Sequence, residues 1–280
     1  MHREVSALIS LIEDPDEEIF TQVKNELHRY GEALIPQLEH YWEMNHYGPL
    51  FNTRVERLIH ELHYGGIYKR LREWKESDQD LLEGLLILNR YQYPTESEEE
   101  LKHRVMKIRQ DIWLELNDFL TALEAVNVFN TVLFKIHGFK STHHHSQGHL
   151  SLSDLLNTRR GEPLIIGALY SWIAESLDIQ MPAIQMPGYC ILAYQEMDLE
   201  GNPEVLFYVN PHESGNIIGM EDLEQMLKDL QYPYDTRFFQ AGNRVEWMAR
   251  LINAFINEAM AKQDKERIQE LRALQSLLLE

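Results

Sequence analysis

The chain has 280 residues, 44% hydrophobic and 25% charged, with 45 Asp and Glu against 26 Lys and Arg for a formal net charge of −19. That is a globular balance, and its acidity argues against a general nucleic-acid binder or a ligand of anionic membranes, both of which need a Lys/Arg surplus on some face. A single cysteine, Cys190, cannot close an internal disulfide, which excludes a disulfide-stapled secreted fold.

The N-terminus, MHREVSALISLIEDPDEE, is interrupted by acidic residues within about a dozen positions, unlike a signal peptide. No window reaches the roughly 18 apolar residues of a membrane span. A soluble cytoplasmic protein is expected.

Leu8, Ile9 and Leu11 belong to a first short helix. In EDPDEE, Asp14 is expected as an N-cap with Pro15 at the first helical position. Ile19, Phe20, Val23 and Leu27 then recur at helical spacing up to Gly31. A third helix carries Leu34, Ile35, Leu38 and Tyr41. NTRVERLIHELHYGGIYKRLREW reads as a helix interrupted at Gly65–Gly66, and DLLEGLLILNRYQYP as one stopped by Pro94. The next helix opens with Thr95 or Ser97 as its cap and Glu98 to Glu100 in its first turn. ALEAVNVFNTVLFKIHGF is closed by Gly138. No clear period repeats, which points to a helical subdomain and not a solenoid.

After about residue 140 the character changes. KSTHHHSQGH is a loop, LSLSDLLNTRRG a short helix and turn, and Pro163 to Leu177 a buried helix. MPAIQMPGYCILAYQEM and PEVLFYVNPHES read as strands joined by a DLEGNP turn. GMEDLEQMLKDL is an amphipathic helix, and the remainder a helical pair broken near Gln263–Asp264. The fold class is α+β, mostly helical with one small antiparallel sheet. The expected regions are a helical one over 1–140, a core over 141–235 and a C-terminal helical pair over 236–280.

LSDLLNTRRGEPLIIGALYSWIAESLDI, followed by MPGYCILAY and FYVNPHESGNII, resembles the SirB-type bacterial branch of the transglutaminase-like superfamily. The helical stretches on both sides are also similar, and RRGEP, MPGY and VNP are the most specific parts. The resemblance implies a papain-like core with a Cys at the start of a buried helix, a His on a following strand and an Asp on the next. In such a set the helix start lowers the thiol pKa, the His takes the proton and the Asp fixes its tautomer. Carried onto this chain, those positions fall at Pro163, Tyr189 and Asn210, none of them catalytic in type. The resemblance therefore implies a catalytically degenerate protein that binds a protein or peptide; no cofactor is expected, and the charge argues against nucleic acid and membrane as partners. The competing expectation is an amide or ester hydrolase or transferase with a rebuilt site using His212 or Cys190.

On a strand, Tyr189 would face the old site and Cys190 the packing, where a lone Cys is usually a small hydrophobe. The remnant-site candidates are Glu162, Pro163, Tyr189, Asn210 and His212. Asn210 and His212 would share a face if the strand runs on through Pro211, and Tyr189, Asn210 and His212 around a helix start could bind a small anion or a peptide carbonyl, or do acid–base work; the alternative is that Tyr189 and Asn210 simply fill and hydrogen-bond the vacated pocket. Arg159 and Arg160 before the Gly turn could clamp an anion, or pin the loop structurally. His143, His144, His145 and His149, with His137 nearby, are weak metal candidates, because three consecutive imidazoles do not converge easily on one ion. The aromatic group Tyr91, Tyr93, Tyr232, Tyr234, Phe238 and Phe239 either packs or, where exposed, marks a partner surface.

Overall fold

The computed structural model describes residues 2–44, 47–142 and 149–280. Its contacts divide the chain into two units, Met1–Glu73 and Trp74–Glu280.

The first unit is helical: α1 (His2–Ser10), α2 (Glu17–His28), α3 (Ile35–Glu43) and most of α4 (Pro49–Glu76). Its core joins Val5, Ile9, Val23, Leu27, Leu38 and Phe51 among others, each such side chain contributing roughly 1.5–3 kcal/mol on burial. The cap of α2 is Asp16, which accepts from the Glu18 and Ile19 amides, while Asp14 instead accepts from the Asp16 amide in the preceding turn. Gly65 and Gly66 do not interrupt α4. The Glu32 carboxyl lies where a Cβ on Gly66 would stand, so the glycine serves close approach and not a break.

The second unit begins with α5 (Leu81–Gln92), α6 (Glu98–Glu115) and α7 (Ala122–Asn130), the last running on into a π-turn at Thr131–Ile136. Asp80, Ser97 and Thr121 cap them, each side chain accepting an amide of the first turn. β1 (Lys140–Ser141), α8 (Leu152–Thr158), β2 (Arg160–Gly161) and α9 (Pro163–Glu175) follow. β1 and β2 pair in parallel, Lys140 with Arg160 and Ser141 with Gly161. α9 is buried nearly all round, through Ile165, Ile166, Ala168, Leu169, Tyr170 and Ile173, as a central helix must be.

β3 (Leu192–Met197), β4 (Pro203–Asn210) and β5 (Asn216–Ile218) form an antiparallel sheet in that order. Asp198 closes the β3–β4 turn by accepting from the Glu200 and Asn202 amides. One face of the sheet packs through Ile191, Ala193, Tyr208 and Ile218 onto Leu223 and Leu227 of α10 (Met220–Asp229) and onto Phe239. α11 (Arg244–Ala261) and α12 (Lys265–Leu279) complete the unit. The fold is α+β. Among the described residues no helix is long and apolar enough to cross a membrane.

The expected strand MPAIQMPGYCILAYQEM is regular only from Leu192. Before it, the chain folds as an irregular hairpin: Gln180 and Ala183 bridge to Gln195 and Leu192, and the Ile184 amide donates to the Ile191 carbonyl. Its tip turns at Pro187 and Gly188, the latter at φ +72°. Two prolines, Pro182 and Pro187, remove ladder donors from this stretch, so it cannot continue as a ladder strand. The hairpin is also stitched to the segment before α11, with the Gln185 amide donating to Gln240 and the Gly242 amide to Ala183.

Candidate functional site

Pro163 occupies the first position of α9, where its missing N–H costs nothing and its side chain offers neither nucleophile nor donor. Glu162 is the N-cap. Its amide donates to the His149 carbonyl at 3.0 Å, and its own carbonyl accepts from Ile165 and Ile166. Glu162 is buried as a residue, and desolvation pushes its pKa up to about 7.

Tyr189 stands beside the hairpin tip, half-buried, and its carbonyl accepts from the Arg250 guanidinium of α11. Cys190 is 3% exposed. Its Sγ rests on Gly167 in the middle of α9, against which Trp247 and Pro211 also pack. Burial pushes the thiol up to about 11, with Arg250 pulling weakly the other way. This is an inert packing thiol by environment, since reactive cysteines need a lowered pKa and access.

Glu162, Tyr189 and Cys190 border one cleft of about 830 Å³. One side is the hairpin tip with Met186, Pro187 and Gly188, and the other is α11 with Trp247, Arg250, Asn253 and Asn257. The Trp247 indole donates to the Leu164 carbonyl at 3.3 Å, and Arg244 pairs with Glu175, so α11 is held against both ends of α9.

Asn210 and His212 do not line this cleft. β4 stops at Asn210 and a 3-10 turn begins at Pro211, so the two residues do not share a strand face. Asn210 is buried, and its Oδ1 accepts the His212 amide at 3.1 Å, capping the turn. The His212 ring reaches the other way, with Nδ1 2.7 Å from Ser141 Oγ on β1. The remnant set therefore splits: Glu162 and Tyr189 line the cleft, while Pro163, Asn210 and His212 do not.

Arg159 and Arg160 are exposed and do not line the cleft. Arg159 caps α8 in the left-handed region, at φ +60°, with its guanidinium over the Phe139 ring at 5.4 Å. What pins this loop is backbone: Lys140 donates to the Arg159 carbonyl and Thr142 to that of Gly161. His143, His144 and His145 lie outside the described residues. His149 is half-buried with Nδ1 3.4 Å from Thr158 Oγ1, and His137 pairs with Asp111 at 2.8 Å. Among the described residues no group of three His, Cys, Asp or Glu could hold a metal ion.

Of the aromatic group, Tyr91 and Tyr93 donate to Glu270 and Asp154, whereas Tyr232 and Tyr234 are exposed. Arg250, Asn253 and Asn257 were not anticipated. Their spacing of three and four residues puts them on one polar stripe of an amphipathic helix, which is the signal that marks them as sharing a face.

A family model described as the transglutaminase-like superfamily matches residues 95–253. No curated protein matches the chain, and no solved structure does.

Proposed function

The chain belongs to the transglutaminase-like superfamily, and from that premise we propose that it is a catalytically degenerate member of the SirB-type branch that acts by binding a protein or peptide segment in the cleft beside Glu162. The observation that carries this reading is the state of the one thiol. Pro163 holds the helix start where the family places its nucleophile, and Cys190 packs against Gly167 with its pKa raised by burial. The cleft itself supports a binding role, being large, lined by both apolar and amide side chains, and of the size ligand pockets have. A second surface supports it too: Trp113, Leu114, Phe119 and Leu123, at the α6–α7 junction, are all exposed, and clustered exposed apolar residues mark interaction sites.

The test is incorporation of a fluorescent primary amine into a glutamine-bearing peptide by the full chain. No turnover, together with saturable peptide binding that Asn253→Ala and Asn257→Ala weaken, is the expected result. Turnover lost in Cys190→Ala would overturn it.

A second reading, a rebuilt amide or ester hydrolase, has one observation in its favour, the 2.7 Å contact of Ser141 Oγ with His212 Nδ1, a distance that suits a nucleophile and its base. Covalent labelling of Ser141 by a fluorophosphonate, abolished in His212→Ala, would establish it.

A further inference from the structure

Beyond the cleft, we propose that the exposed face of α6, with the chain that packs beside it, is a docking surface for an acidic amphipathic helix of a partner protein. In α6, His103, Met106, Lys107, Gln110, Trp113 and Leu114 recur at three- and four-residue spacing, and all are exposed. The outward face of a surface helix is ordinarily polar. Here Trp113 and Leu114 are 57% and 64% exposed, and Phe119, in the turn that follows, is 95% exposed. Leu123 of α7 and Ile136 of the π-turn are exposed as well. The π-turn is tied to this part of α6 by His137, whose Nε2 lies 2.8 Å from Asp111. Large aromatic and aliphatic side chains left in water at one junction are the anchors that interfaces use.

The charge around these anchors selects the partner. The whole chain has 45 acids against 26 Lys and Arg, but residues 101–114 reverse that balance, with four Lys and Arg against one acid, Asp111, which His137 engages. Residues 131–142 add Lys135 and Lys140, and residues 155–161 add Arg159 and Arg160, with no acid in either stretch. The three stretches meet in space. The Arg104 guanidinium donates to Asn157 Oδ1 at 2.7 Å, the Lys140 amide donates to the Arg159 carbonyl at 2.8 Å, and Lys140 and Arg160 are register partners. Lys107, Lys135, Lys140, Arg159 and Arg160 are exposed, and among the described residues none of them pairs with a carboxylate. Cations left unpaired amid such an excess of acids complement carboxylates from outside the chain. The occupant that fits both features is a helix with Leu or Phe on one face and Asp or Glu beside it. Leu114, Leu123 and Ile136 suit apolar side chains better than the stacked bases of a nucleic acid, which need aromatic platforms.

The experiment titrates the full chain with two fluorescent Ala-rich peptides of about 20 residues, long enough to form helix. Both carry Leu and Phe at i, i+3, i+4 and i+7; the positions flanking that face are Glu in one and Lys in the other. Anisotropy is read at physiological salt. General attraction to a chain of net charge −19 favours the Lys peptide, so preference for the Glu peptide reports a local basic face. The expected result is that the Glu peptide binds about tenfold more tightly than the Lys peptide, that Phe119→Ala weakens it about tenfold, and that Lys107→Glu combined with Arg160→Glu abolishes the preference. All three positions are exposed, so the variants keep the fold, and an unchanged circular dichroism spectrum checks that. Equal binding of the two peptides, preference for the Lys peptide, or affinity unmoved by Phe119→Ala would overturn the proposal. Binding lost in Asn253→Ala and Asn257→Ala but kept in Phe119→Ala would place the peptide in the cleft and overturn it too. A dimer of the free chain that Phe119→Ala dissociates would make a second copy the occupant in place of an acidic partner, and tighter binding of a single-stranded oligonucleotide would make it a nucleic acid; either overturns the assignment. Failure of the Glu peptide leaves the cleft reading standing, since that reading is tested with a glutamine-bearing peptide and its own variants.

Discussion

The Sγ of Cys190 lies 2.5 Å from the point where a Cβ on Gly167 would stand. No real Cβ contact is that short, so the thiol and the glycine are complementary parts of one packing arrangement. Gly167→Ala is expected to destabilise the second unit by about 1–3 kcal/mol from overpacking, less the modest gain in helix propensity from losing a glycine. Cys190→Ala should recover part of that loss in the double variant. Additive effects in a thermal-unfolding cycle would show that the two positions are not coupled.

Native alkylation reads the same contact chemically. Burial raises the Cys190 thiol to about 11, so iodoacetamide at pH 8 should leave the intact mass unchanged until denaturant is added. Because Cys190 is the only cysteine, stoichiometry reports it directly. Rapid labelling below pH 7 would contradict both its burial and the proposal of a degenerate site.

Glu162 links stability to pH. Its ordinary value of 4.5 is raised to about 7 by burial, so the folded state favours the protonated form. The stability it contributes is fully present below pH 4.5 and is lost as pH rises through about 7. Glu162→Gln should flatten this component: its melting temperature relative to the natural chain should rise between those limits. A change of about 2–4 °C would correspond to 1 kcal/mol in a domain of this size. An unchanged difference across the range would show that the carboxyl does not titrate there.

Asn89 tests how the short helix before the cleft is held. It is 1% exposed, accepts from the Ser153 amide at 2.8 Å and donates to Glu96 at 2.9 Å, while Ser153 Oγ also donates to Glu96. Asn89→Ala leaves the Ser153 N–H enclosed without its acceptor and is expected to cost about 1–3 kcal/mol. Asn89→Asp, which keeps the acceptor but loses the donor to Glu96 and faces it with a second carboxylate, should also be destabilising. Chemical denaturation of both variants checks this, and unchanged midpoints would show that the contacts contribute nothing.

Much of the fold was legible because helices announce themselves over long windows. The apolar spacing of α2, the Ser97 cap and Glu run of α6, and the DLEGNP turn all lie within a few residues of where the sequence places them. Gly66 misled because a glycine pair signals either a break or a close approach, and only the position of Glu32 tells which. The hairpin before Leu192 has a strand's composition of β-formers, but Pro182, Pro187 and the positive φ of Gly188 override that preference. The site was harder. Glu162 and Tyr189 are legible because they flank local motifs, whereas Asn210 and His212 would join them only on a strand running through Pro211, and β4 stops at Asn210. The α11 residues come from about sixty positions away in sequence, a distance over which periodicity alone carries no address.

The stitching of the hairpin to the segment before α11 has a thermodynamic consequence. Gln185 to Gln240, Gly242 to Ala183 and the Ile184–Ala241 bridge tie one bank of the cleft to the approach of the other. A ligand entering there meets walls whose backbone freedom was already surrendered during folding, so little ordering entropy is charged against its binding. The amides of Gln185 and Gly242 should accordingly exchange hydrogen slowly in the free protein, with protection changing little when the cleft is filled.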